Sequence, residues 1–110
     1  MQKYEVEIRN LRDSPFHHFA NAFRVDRQSI VGNPFYMANE SMRDDVCDKY
    51  EEYFNKQIDT NAAFKKYVDE ITTALRQYKK VYLYCWCYPK RCHAETIKKW
   101  LLQNVKGESK

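Results

Sequence analysis

Tyr4, Val6 and Ile8 alternate with Glu5, Glu7 and Arg9, the period-two pattern of a strand with one buried face. From Asn10 to Ala22 the periodicity is lost, and Asp13-Ser14-Pro15 supplies a turn signal. Phe23 to Asp26 reads as a second short strand. It leads to Gly32-Asn33-Pro34-Phe35, where glycine and proline predict a tight turn and exclude a continuing helix. Ser41 then opens a predicted helix. Ser41-Met42-Arg43-Asp44 has the form of a capping box with aspartate as its acid, and Asp45 adds charge near the positive end of the helix dipole. Met42, Val46, Tyr50, Tyr53 and Phe54 follow at helical spacing to about Asn55. Asp59 or Thr60 can cap a second helix, with Phe64, Val68, Ile71, Leu75 and Tyr78 as its core stripe. Val81 to Cys87 is short and rich in β-formers, which predicts a largely buried strand. After Tyr88 to Arg91, a last helix turns Ile97, Trp100, Leu101 and Val105 inward.

The predicted order is therefore β, β, α, α, β, α. Long helical connections between strands imply a sheet that is at least partly parallel. The expected fold is a small α/β domain, Rossmann-like in two or three layers, with a short sheet and about three helices. At 110 residues the chain fits a single domain spanning 1–110. It lacks an eighteen-residue apolar run, and its start has no apolar signal-peptide segment, so no membrane partner and a cytoplasmic location are expected. Reduced thiols are then the default for the four cysteines. The net charge is +4, unevenly spread. Residues 79–110 carry eight Lys or Arg against Glu95 and Glu108, a net of +6. Lys98, Lys99 and Lys106 fit a solvated helix face, so nucleic acid is an allowed partner but not the favoured one.

Candidate chemistry concentrates in Cys85-Trp86-Cys87-Tyr88-Pro89-Lys90-Arg91-Cys92-His93. A strand, a short loop and a helix start occupy this stretch, the place where ligands gather in open α/β sheets. Free N–H groups at a helix start favour anions and stabilise thiolates, so Cys92 is the expected low-pKa thiol, whereas Cys47 within the first helix is expected to be inert packing. Three readings stay open. Cys85, Cys87, Cys92 and His93 form a set that suits zinc or an iron–sulfur cluster, although the spacing lacks a C-x2-C knuckle. Cys85 to Arg91 has the C-x5-R spacing of phosphatase loops, but proline and the lack of glycine oppose a phosphate cradle. In the third reading Cys85 and Cys87 are small buried residues, and Cys92 and His93 meet a ligand or cap the helix.

Asn10-x-Arg12, Arg27 before Gly32-Asn33-Pro34-Phe35, Ser41-x-Arg43 and the Cys85-Trp86-Cys87…Cys92-His93 close resemble a family of bacterial and bacteriophage proteins, the domain-of-unknown-function family 4326. The resemblance extends over nearly the whole chain and implies a strand, a GNPF turn, a capped helix and the cysteine-histidine close. The chain departs from it in three places. Val25-Asp26-Arg27 stands where Ile-Gly-Arg is usual, Arg91 where proline is frequent, and Ala94 where glycine is common. The family brings no established reaction with it.

If the strands are parallel, the residues that follow their ends meet at one sheet edge. The leading expectation is thus a site for a small anionic ligand, nucleotide-like or otherwise phosphorylated, with no cofactor. Asn10, Arg12, Arg27, Gly32, Asn33 and Arg43 are its expected ligand-binding residues. If the site is catalytic, His93 is the acid or base and Cys92 the nucleophile. The alternatives are a metal or redox protein that uses Cys85, Cys87, Cys92 and His93, with zinc as cofactor, and a non-enzymatic phage-type modulator that binds a host protein or nucleic acid.

Overall fold

A computed structural model describes residues 3–13, 15–16, 18–35, 37, 39–86 and 92–107. Among them run β1 (Glu5–Asn10), β2 (Ala22–Arg24), a 3-10 turn (Glu40–Met42), α1 (Arg43–Thr60), α2 (Ala62–Tyr78), β3 (Lys80–Cys85) and α3 (Ala94–Gly107). The described strands form one sheet in the order β1-β3-β2, and both pairings are parallel. Val6 lies beside Val81 and Ile8 beside Leu83, so the alternation read in β1 continues across the sheet in register.

This register sets up two unlike faces. Val6, Ile8, Val81, Leu83 and Cys85 join the apolar core with residues of all three helices. On the opposite face Lys80 bridges Glu5 and Glu7, and the Arg9 guanidinium lies 4.5 Å from the centre of the Tyr82 ring. The described helices thus pack in a single layer against the sheet, the simpler of the two layerings the sequence allowed. Tyr84 is the exception on the open face: Phe16 from the β1–β2 connection covers it edge-on at 5.1 Å, and it is fully buried.

Helix boundaries moved where another side chain made a better cap. The cap is Asn39, not Ser41: its side-chain oxygen accepts the Ser41 N–H at 3.1 Å, and a 3-10 turn precedes α1. The capping box expected at Ser41 does not form. Asn61, rather than Asp59 or Thr60, accepts the Phe64 N–H at 3.1 Å and starts α2, while its own N–H closes α1 on Gln57. Four residues of the α2 stripe are fully buried, but Tyr78 is 46% exposed because α2 ends there on Lys79 with φ 65°. Strand β2 is shorter than predicted, and β3 ends at Cys85; Cys87 lies outside the described residues.

Candidate functional site

Parallel pairing sends the carboxyl ends of β1, β2 and β3 to the same sheet edge, where the start of α3 also lies. There a cavity of about 430 Å³ opens among Asp26, Arg27 and Gln28 after β2, Asn33, Phe35 and Met37 of the following loop, Arg43, Val46 and Cys47 of α1, Trp86 after β3, and Cys92 and His93 before α3. Its size is within the range of small-molecule sites. Five of the residues expected from sequence line it together: Arg27, Asn33, Arg43, Cys92 and His93.

The other three serve the edge differently. Asn10 does not line the cavity. Its side-chain amide donates to the Trp86 carbonyl at 3.2 Å and its oxygen accepts the Arg12 N–H at 2.8 Å, so it ties the end of β1 to the end of β3. Arg12 is exposed on that turn and also lies outside the cavity lining. Gly32 lines a smaller outer recess with Arg27, Asn33 and Pro34. Its φ is not left-handed; what it supplies is room. A Cβ at this position would fall 2.5 Å from the Asp26 carbonyl oxygen and 2.6 Å from the Arg27 Cα. The GNPF turn is thereby pressed directly on the segment that carries Arg27.

Side-chain amides and ion pairs hold the walls. Asn33 is buried and accepts the Phe35 N–H at 2.9 Å, an Asx turn, and Arg27 donates to the Phe35 carbonyl at 2.8 Å. Arg43 makes a bidentate pair with Glu40, both bonds 2.8 Å. Asp26 is nearly fully buried. It accepts from Arg24 at 3.1 Å and from the Trp86 indole N–H at 3.0 Å. Burial pushes its carboxyl up, but these hydrogen bonds and the Arg24 charge outweigh that and hold it below the usual carboxylate range. Trp86, half exposed at the cavity wall, is oriented by that bond.

His93 is the most constrained titratable group of the site. It is 6% exposed, lies edge-on to the Tyr50 ring at 5.0 Å, and hydrogen-bonds the Val25 carbonyl through Nε2. Burial pushes its imidazole below the ordinary value, and the Arg27 charge adds to this; the Val25 carbonyl and Asp26 oppose it without reversing it. Its other nitrogen, Nδ1, is 3.5 Å from Cys92 Sγ, and the Ala94 N–H points to the same sulfur at 3.5 Å. The Glu95 N–H bonds the Cys92 carbonyl at 3.0 Å, so the helical turn begins at Cys92.

Asp26, Gln28, Phe35, Met37, Val46, Cys47 and Trp86 belong to this cavity without having been singled out for it. Cys47 is buried, as packing would require, but it also forms part of the wall. Its i+4 spacing from Arg43 was a readable signal, since both project from one side of the first turns of α1. The metal-binding alternative depends on Cys87, which lies outside the described residues. Among the described residues, no three of His, Cys, Asp and Glu gather as a metal site. No helix among them is long and apolar enough to cross a membrane.

No curated protein and no solved structure matches the chain. The family model described as a domain of unknown function, DUF4326, matches residues 8–103, a span that contains every residue lining the cavity, and the chain belongs to that family.

Proposed function

We propose that the cavity binds a small anionic ligand, a nucleotide-like or otherwise phosphorylated molecule. The observation that carries this reading is the convergence of Arg27, Asn33 and Arg43 with Cys92 and His93 on one cavity at the carboxyl edge of a parallel sheet. Charge supports it. Asp26 is taken up by Arg24, whereas Arg27 donates to the neutral carbonyl of Phe35, a contact that leaves its positive charge available to a ligand. The apolar wall formed by Phe35, Met37, Val46 and Trp86 suits a planar or hydrophobic group attached to the anion.

Trp86 makes the test direct. In a Trp100→Phe background its fluorescence is followed while adenosine monophosphate or inorganic phosphate is added. Adenosine monophosphate should give a saturable change and bind more tightly than phosphate, because only it covers the apolar wall. A charge-assisted hydrogen bond contributes about 1.5–3 kcal/mol, so Arg27→Ala should weaken binding by roughly ten-fold or more. The absence of saturable binding by either probe would remove this reading.

A further inference from the structure

Cys92 and His93 stand together in the cavity, and their chemistry goes beyond holding an anion. Resting on the reading of this cavity as a ligand site, we propose that Cys92 is a nucleophilic thiol and His93 its base, acting on a ligand carbon that bears a leaving group.

The Val25 carbonyl fixes the histidine tautomer. A carbonyl only accepts, so the bond to Nε2 places the proton there and leaves the lone pair on Nδ1. That lone pair faces Cys92 Sγ at 3.5 Å, a hydrogen-bonding distance for sulfur. Nucleophile, base and orienting acceptor are thus linked in succession through the two ring nitrogens, the backbone oxygen taking the part that a buried amide or carboxylate plays in other thiol and hydroxyl sites. The Ala94 N–H, 3.5 Å from the same sulfur, stabilises negative charge as it develops there. Burial disfavours a charged imidazole before reaction, which keeps the base in its accepting form.

The step balances within these groups and the ligand. The Sγ–H proton passes to Nδ1, and a sulfur electron pair forms the S–C bond. The leaving group departs with the electron pair of the broken bond and receives the proton from the imidazolium. Water then cleaves the S–C bond by the same route, with His93 taking its proton and returning one to Cys92. Among the described residues, the groups around His93 are Asp26 and Arg27 from the end of β2, Tyr50 from α1, and Cys92 beside it. The Tyr50 hydroxyl is engaged by the Val31 carbonyl at 2.6 Å and does not compete for Nδ1.

Cys47 provides an internal control, since it lines the same cavity and is 5% exposed against 3% for Cys92. Folded protein is treated with iodoacetamide, and each cysteine is followed by peptide mass mapping. Cys92 should alkylate at least ten-fold faster than Cys47. His93→Gln should slow Cys92 by about ten-fold and leave Cys47 unchanged. Equal rates at Cys92 and Cys47 in the unaltered protein overturn the proposal without any variant. A folded His93→Gln protein with undiminished Cys92 reactivity overturns it as well. A slow Cys92 in a protein that binds adenosine monophosphate refutes the nucleophile alone, and a fast Cys92 without such binding refutes the anion site alone.

Discussion

Gly32→Ala is the substitution whose consequence follows most directly from the geometry. The new methyl would lie 2.5 Å from the Asp26 carbonyl oxygen, 2.6 Å from the Arg27 Cα and 2.9 Å from the Asp26 carbonyl carbon. All three are backbone atoms, so no flexible side chain can swing away, and the two loop segments must separate. Overpacking of this kind costs about 1–3 kcal/mol. Against it stands a gain of about 0.4–1 kcal/mol, because alanine narrows the unfolded ensemble and the native φ is not left-handed. The net expectation is a loss of about 1–2 kcal/mol, which for a chain of this size lowers Tm by roughly 5–15 °C. Thermal unfolding followed by circular dichroism measures it. The displacement should also reach Asp26 and alter the NMR signal of the Trp86 indole N–H bonded to it. An alanine variant that melts at or above the parent temperature, with an unchanged indole signal, would refute the close approach and with it the account of the GNPF turn.

Two further outcomes concern pH and capping. Asp26 and His93 both titrate below their ordinary values in the fold, so the unfolded chain binds more protons and stability falls as pH falls. The His93 contribution is present above about pH 6.5 and lost as pH drops through its folded value; that of Asp26 is present above about pH 4 and lost in stronger acid. Urea unfolding from pH 8 to 3 should show both losses, and His93→Gln should flatten the upper one; an unaltered slope between pH 7 and 5 in that variant would contradict the assignment. Asn61→Ala removes the cap that separates α1 from α2 and should cost about 1 kcal/mol in denaturant unfolding, with an unchanged midpoint as the contrary result.

Legibility followed the range of the interactions involved. The alternation of Tyr4 to Ile8 and the stripes of α1, α2 and α3 were plain because each repeats over a turn or a pleat, and the buried set bears them out at Val6, Tyr50, Phe54, Phe64, Ile71 and Leu101. Caps were harder. Asn39 and Asn61 displaced Ser41, Asp59 and Thr60 because several neighbouring residues have side chains able to cap, each serving an N–H two or three positions on, and a shift of one or two positions in the helix start decides which is used. Tyr78 kept the helical spacing but left the core, since α2 stops at Lys79.

The sequence by itself determined the elements, their order, and the residue types that could meet an anion or carry a thiol reaction. Tertiary structure decided which of those residues meet. The β1-β3-β2 order puts β3 in the centre and all strand ends at one edge, a choice of pairing that no local pattern encodes. It brought Arg27, Asn33, Arg43, Cys92 and His93 to one cavity, left Arg12 on an exposed turn, and gave Asn10 the work of joining two strand ends. The contact of His93 with Val25 spans 68 residues. Such a bond exists only once β2 and α3 are docked, and so the tautomer that aims Nδ1 at Cys92 belongs to the fold rather than to the cysteine-histidine motif.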